Sequence, residues 1–416
     1  MKKLQIALLF LSFSLLFFSC KKDEFHLGLL KIDDVLQWSY TLPEDQGNYD
    51  EFLVPAVDEN DNIYVVGKTD MQNNSGEIIS LTAEGTKRWS FQTFGYPNSH
   101  VVYSDGKVYI LSYYETFDNI FQTLSCLNAS DGSLVWSDRH INKYGTMAMA
   151  NNALYWAAED TLYKYSLDGQ IISRLKIDDV SNIVPKYMSV YGNHIYLMEE
   201  DRNGGYGQLL KFIDNGDILT LNWEKAGFDN GEDNSVCDLA IDNNGNVYFM
   251  TTGALYCIDL DGSTRWKNTD IHGLNSFERH SVSITDSGMV LTGLDKLIKL
   301  TSTGKELYTK ETYDFISYYF ERAPILGADK RYYTADYNGF TSDANGIRVI
   351  NPDGTGYWYT KEPTGRENTA LLHNGNMIFI FDGIVYCIKA ESGGLDQQAQ
   401  WPKLYYDYGN TSYKPY

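Results

Sequence analysis

Short apolar runs separated by polar turns organise nearly the whole chain. One stretch shows the unit in full: Cys237-Asp-Leu-Ala-Ile241 runs into the polar Asp242-Asn-Asn-Gly-Asn246, and Val247-Tyr-Phe-Met250 follows. Leu255-Tyr-Cys-Ile258 comes next, then Asp261-Gly262, then a segment carrying Trp266. β-prone runs bounded by Asx-Gly turns predict a meander of four short antiparallel strands, because such turns need positive φ at their centre. Runs such as Ile63-Tyr-Val-Val66 are apolar without alternation, which predicts sheets covered on both faces.

The unit recurs. Hairpin turns fall at Asp34, Gly85, Gly132, Gly169, Gly216, Gly262, Gly304 and Gly354, about 46 residues apart on average, the period of a four-stranded propeller blade. Second strands start near Asn62, Lys107, Ala153, His194, Asn246, Met289, Arg331 and Asn376. Four residues past the turns stand Trp38, Trp89, Trp136, Ser173, Thr220, Trp266, Tyr308 and Trp358. Two units lack the aromatic, and Trp223 stands three residues past one vacant slot as its candidate substitute. Trp38, Trp89, Trp136, Trp266 and Trp358 read as structural, packing adjacent blades by removing a large ring from water. Ala56, Ala148, Ser189, Ala240, Ser283 and Gly327 hold matching places in the first strands, as convergence on an axis requires.

Counting closes the ring. Gln37-Trp38-Ser39-Tyr40 is a fourth strand with no first or second strand before it, whereas the last unit has runs at 369–372, 377–381 and 384–388 and no fourth. Pairing the two completes a blade and removes an open edge. The fold class is therefore an all-β propeller of eight four-stranded blades, closed by an N-terminal outer strand. Seven blades is the alternative if 154–175 is not an independent blade, and the segment around Trp401 competes for the vacant outer slot.

Leu127-Asn-Ala-Ser-Asp-Gly-Ser-Leu-Val-Trp136 resembles the strand-turn-tryptophan motif of the PQQ-like (quinoprotein-type) β-propeller repeat family, with a shortened turn. Trp401-Pro402-Lys-Leu-Tyr-Tyr-Asp407 with Asn410-Thr411 is similar to the segment at the ends of such proteins, and the resemblance covers nearly all of 29–412. It implies one of two functions. The dehydrogenase branch binds a quinone with calcium beneath a disulfide between adjacent cysteines; this chain has no Cys-Cys pair and lacks the length for that branch's insertions. The other branch holds single-domain propeller lipoproteins, among them an outer-membrane assembly lipoprotein, and agrees in size and in its lipid anchor.

The anchor is read from the first residues. Met1-Lys2-Lys3, an apolar run from Ile6 to Phe18 and Ser19-Cys20 form a secretory signal peptide, too short for a permanent membrane span. Cys20 makes it resemble a bacterial lipoprotein signal in which that cysteine is acylated, although Phe17 departs from the usual leucine. Lys21-Lys22-Asp23-Glu24 resembles the surface-export signal of Bacteroidetes lipoproteins; a plain solvated tether is the other reading. The organisation expected is a signal peptide at 1–19, a lipidated tether at 20–28 and a propeller at 29–416.

Charge narrows the partners. The formal net charge is −21, or −23 once Lys2 and Lys3 are removed with the signal, which argues against nucleic acid and anionic lipid surfaces. Cys126, Cys257 and Cys387 occupy one position in three repeat units, beyond the ~7 Å Cα limit for a disulfide. Cys237 and Cys257 belong to a first and a third strand, so all four read as buried free thiols.

Candidate chemistry is sparse. His100 and His280 each precede a first strand near the channel mouth, four blades apart, where they offer a ligand contact but not a compact metal set. Asp58-Glu-Asn-Asp-Asn62 and Asp242-Asn-Asn-Gly-Asn246 are oxygen-rich, yet turn chemistry accounts for both without calcium. Tyrosine pairs at Tyr113-Tyr114, Tyr318-Tyr319, Tyr332-Tyr333 and Tyr405-Tyr406 serve blade packing, or stack on sugars where exposed. No phosphate loop, nucleophile elbow or His-Glu-x-x-His occurs. The expectation is a non-catalytic binding or scaffolding propeller without catalytic residue, metal or cofactor. It is expected to be anchored at the outer membrane on an undecided side, as a monomer or part of a complex. Its partner is an envelope or outer-membrane protein, or a glycan. The rival readings are a glycan-binding protein and an enzyme (quinoprotein dehydrogenase, or propeller lyase or hydrolase) with its site at the channel mouth.

Overall fold

The computed structural model describes residues 28–43, 54–70, 75–117, 119–141, 145–158, 160–177, 183–201, 207–228, 238–251, 253–271, 282–288, 290–293, 296–311, 324–336, 346–360, 369–381 and 383–416. Their strands form eight sheets. In chain order these are blade 1 (56–92), blade 2 (96–141), blade 3 (145–176), blade 4 (183–226), blade 5 (240–268), blade 6 (282–311), blade 7 (325–360) and blade 8 (369–389 with Leu36–Thr41). Each is an antiparallel meander from a buried inner strand to an exposed outer one. The stretch that diverges most from the repeat forms blade 3 by itself, from Gly145–Ala150, Ala153–Ala158, Thr161–Ser166 and Ile171–Lys176.

Beside every hairpin the third and fourth strands slip register, for example between Ser80 and Leu81, Cys126 and Leu127, and Cys257 and Ile258. This bulge sets Trp89, Trp136 and Trp266 opposite Ser80, Cys126 and Cys257 and turns each indole toward the next blade. There the ring lies flat over the turn glycine of its neighbour. Gly132, at φ 73°, would place a Cβ 2.6 Å from the Trp89 ring, so neither the turn nor the contact admits another residue. The indole N–H then donates to a turn carbonyl of the same neighbour. Trp38 reaches Ala83 at 2.7 Å, Trp89 reaches Ala129 at 2.9 Å, Trp136 reaches Leu167 at 2.8 Å and Trp266 reaches Ser302 at 2.9 Å. In blade 6, Tyr308 uses its hydroxyl on Pro352 O at 3.0 Å.

In blade 4 Trp223 takes the place left vacant at Thr220, as its position in the sequence suggested. A longer hairpin sets Trp223, not Thr220, opposite Lys211, and Trp223 donates to Leu260 O at 3.1 Å. Among the described residues, blade 3 alone has no aromatic at this register, because Ser173 faces Lys164 there. That interface is held by a buried ion pair instead: Lys164 Nζ donates to Asp214 Oδ2 of blade 4 at 2.7 Å and to Gly216 O at 2.6 Å, and Tyr155 also donates to Asp214.

Leu36–Thr41 pairs antiparallel with Ile384–Lys389, the closure anticipated from the chain ends. Two features were not anticipated. Gly28–Leu30 adds a fifth strand to blade 7, parallel to Gly356–Thr360, so the chain crosses from blade 7 to blade 8 through the short helix Ile32–Val35. The second is a correction: Trp401 does not compete for the outer slot but bridges Ile284 of blade 6 at the axis, 1% exposed.

Trp136→Ala is expected to lower unfolding free energy by about 3–5 kcal/mol in urea titration. Trp136→Phe, which keeps a ring over Gly169 but loses the indole bond, should cost about 1 kcal/mol for that hydrogen bond.

Candidate functional site

The inner strands present one edge of peptide groups toward the axis, and buried groups of this kind demand partners. The C-terminal residues 391–416 supply them. Amides of Ala328 and Asp329 in blade 7 donate to Gly394 O and Ser392 O at 2.8 and 3.0 Å, and Ser392 N donates to Gly375 O of blade 8 at 3.1 Å. Ile284 of blade 6 exchanges two bonds with Trp401, at 2.9 and 3.0 Å. Val57 N of blade 1 donates to Tyr408 O, Tyr103 N of blade 2 to Gly409 O, Met149 N of blade 3 to Thr411 O and Val190 N of blade 4 to Ser412 O, all at 2.8–2.9 Å. Asn243 N of blade 5 donates to Gln400 Oε1 at 2.7 Å. The segment thus touches all eight blades.

Its polar side chains complete the filling. Asn410 is fully buried, and its Nδ2 donates to Val54 O, Pro55 O and Val101 O at 3.0–3.1 Å. Those carbonyls stand at the start of the inner strands of blades 1 and 2, two to three residues before Val57 and Tyr103. Lys403 Nζ donates to Asp407 O at 3.0 Å and to Asn410 Oδ1. Burial pushes the Asp407 carboxyl above its usual range, against the opposing bonds from Thr411 N and Oγ1. Lys414 donates to Gln400 O beneath the Tyr406 ring, and burial draws its ammonium down to about 8.

A second clasp joins the last blade to the first. Asp61, in the first turn of blade 1, accepts from His373 N at 2.6 Å and Asn374 N at 3.0 Å and pairs with His373 Nδ1 at 2.8 Å. Tyr408 stacks on that imidazole at 3.7 Å. Burial raises the Asp61 pKa, but the bonds from His373 and Asn374 outweigh it and hold the carboxyl below the ordinary aspartate value.

Of the two histidines singled out from sequence, His100 is buried before Val102–Ser104 and stacks on Tyr405 at 3.6 Å; His280 lies outside the described residues. Cys20, Cys237 and Tyr318-Tyr319 also lie outside them. Cys126, Cys257 and Cys387 are buried free thiols, pushed by burial to about 11, 12 and 12. The oxygen-rich turns are internally bonded: Asp58 accepts from Asn60 N, Asn62 N, Asn62 Nδ2 and Tyr64, and Asp242 repeats the pattern with Asn244, Asn246 and Tyr248. Among the described residues no three His, Cys, Asp or Glu side chains gather as a metal site requires. No described helix is long and apolar enough to cross a membrane. The axial role of 391–416 escaped the sequence reading, although Asn410-Thr411 and Trp401-Pro402 were its visible marks.

A ring fastened blade to blade by indoles laid over turn glycines is a tryptophan-docked β-propeller. The chain belongs to the PQQ-like repeat family PQQ_2, whose description is outer membrane protein assembly factor BamB and whose pattern matches residues 74–285. Among solved structures, it is similar to the quinohemoprotein alcohol dehydrogenase of Comamonas testosteroni at 12% identity and TM-score 0.52, covering 89% of this chain and 79% of that one. A chain in the crystal structure of the mitotic checkpoint complex matches at 10% identity and TM-score 0.51, covering 88% and 97%. Such likenesses show the fold alone. No curated protein matches the chain.

Asn410→Ala leaves three buried carbonyls without their donor and is expected to cost about 2–3 kcal/mol in urea titration. Asp61 has a depressed folded pKa, so its contribution is present above the unfolded value near 3.9 and is lost as pH falls through the folded one. Asp61→Asn should therefore lower stability at pH 7 and flatten the acid limb of a stability-pH curve below about pH 4.

Proposed function

We propose that this protein is a non-catalytic binding propeller, lipid-anchored through Cys20 at the outer membrane, that scaffolds protein contacts in the cell envelope. The observation that carries the reading is the occupied axis. The place where a propeller enzyme gathers its reacting groups holds Trp401, Tyr405 and Asn410, which pack and bond to the inner strands. Membership of a family described as an outer-membrane assembly factor supports the same reading. The quinone of the dehydrogenase branch does not fit these residues. Cys126, Cys257 and Cys387 belong to blades 2, 5 and 8, each opposite an outer-strand tryptophan, so no two of them form the adjacent pair that covers it.

The tether supports a position at the membrane. Gly28 stands eight residues after Cys20, a span of at most about 27 Å, and begins a strand on the rim of blade 7. In this reading one edge of the disc stays close to the bilayer.

Affinity capture of the lipidated protein from its own envelope, with Cys20→Ser as control, tests the proposal. A defined complex with a membrane protein, together with release of Cys20→Ser into the soluble fraction, is the expected result. Recovery of the protein alone with a bound small molecule, or a Cys20→Ser variant still held in the membrane fraction, would overturn it.

A further inference from the structure

Exposed apolar side chains stand in pairs at the outer hairpins of three neighbouring blades, whereas blades 6 and 7 each show one there, Leu307 and Tyr357. Leu134 and Val135 of blade 2, Ile171 and Ile172 of blade 3, and Ile218 and Leu221 of blade 4 are 38–62% exposed. In blades 2 and 3 they stand two and three residues past the turn glycine, where blades 1 and 5 carry Lys87-Arg88 and Thr264-Arg265. The three blades that carry them are joined in sequence. Trp136 lies over Gly169 of blade 3, and Leu219 N of blade 4 donates to Ser173 Oγ at 3.4 Å.

Within these three blades lies the one interface, among the described residues, where the docking aromatic is missing. A Cβ placed on Gly85, Gly132, Gly169, Gly262 or Gly304 would stand within 3.0 Å of an indole, whereas one placed on Gly216 would meet nothing within 4 Å. Gly216 is exposed, and Ser173 of blade 3 lays no ring across it. The outer strand Ile171–Lys176 also carries exposed Arg174 and Lys176 and no carboxylate of its own; Lys176 Nζ lies 3.8 Å from Asp160 Oδ2, so Arg174 is the cation this strand presents without an ion-pair partner among the described residues. Among the described residues no strand pairs with its outer side. The same chain shows that such an edge takes a fifth strand, since Gly28–Leu30 pairs with blade 7 in the register Gly28↔Trp358, Leu29↔Tyr359 and Leu30↔Thr360.

We propose that the outer edge of blade 3 is a docking site for an extended segment of a protein partner, which adds as a fifth strand and places an aromatic side chain in the slot over Gly216. Arg174 at this edge selects a segment in which acidic residues alternate with apolar ones. An aromatic anchor laid over the bare turn glycine supplies the binding energy that exposed backbone pairing does not. The site rests on the binding-propeller reading, and the tether favours protein over lipid. Blade 3 stands four sheets from blade 7 in either direction, so an anchor leaving blade 7 holds this edge away from the bilayer.

The test uses the whole chain beginning after Cys20 and a synthetic ten-residue peptide of alternating valine and glutamate with one central tryptophan. Fluorescence anisotropy should show saturable binding. Ser173→Trp fills the slot from within, as Trp223 does opposite Lys211, and should leave the protein at least as stable in urea while weakening the peptide roughly a hundredfold. Arg174→Glu with Lys176→Glu should weaken it roughly tenfold, and a peptide with lysine in place of glutamate should not bind. Equal binding by Ser173→Trp, or no binding by the unaltered chain, overturns the site while leaving the envelope complex of the preceding section to its own test. Self-association abolished by Ser173→Trp would assign the edge to a second copy, and Ile171-dependent binding to phosphatidylglycerol vesicles would assign it to lipid; either result overturns the proposal.

Discussion

The contact between an indole and the glycine of the next blade is what makes eight small sheets one object. No blade has a core of its own. Its apolar faces are satisfied only by the sheets on either side, so the clusters of buried side chains cross blade boundaries. The indole fixes the spacing across that boundary. Its flat face tolerates only a residue without a Cβ, and its N–H donates to one carbonyl position, so distance and rotation are set together. Where the ring is absent, between blades 3 and 4, a buried lysine-aspartate pair holds the boundary by charge and demands equal accuracy, because an unpaired partner would be costly in that setting.

The axis follows from the same geometry. Eight inner strands brought to a common centre leave a ring of amides facing inward, and water or protein must satisfy them. Here the chain uses its own last residues. The result is a centre filled by protein and polar in its bonds, with Asn410 tying two blades by one amide group and Lys403 and Lys414 serving as internal donors. Groups engaged in this way stabilise the ring.

The repeat was legible because its causes are local. A turn glycine and a tryptophan four residues later need no knowledge of the rest of the chain, and ring closure by Trp38 followed from counting strands. Trp223 was harder, since its hairpin is longer and only register reveals that it faces Lys211. The substitution of Lys164 and Asp214 for an aromatic was invisible, because the two residues lie far apart in sequence and meet only across a boundary. The path of 391–416 was hidden for a related reason: short polar and aromatic stretches without periodicity look like any loop, and their meaning comes from the eight edges that surround them. His100 illustrates the converse. Its place before an inner strand was foreseen, but its stacking on Tyr405 depended on that unforeseen path.

The parallel pairing of Gly28–Leu30 with blade 7 has a mechanical consequence. The ring is closed by Leu36–Thr41, and a pull on the chain ahead of that strand would otherwise peel blade 8 open one bond at a time. With Gly28–Leu30 fixed to a different blade, tension along the leading segment is taken first by a separate patch of sheet and passed into blade 7. The helix Ile32–Val35 joins the two, with Ile32 and Val35 packed against the apolar cluster the blades share. The closing seam is thereby isolated from load, in the way a cable is clamped to its housing before it reaches the joint.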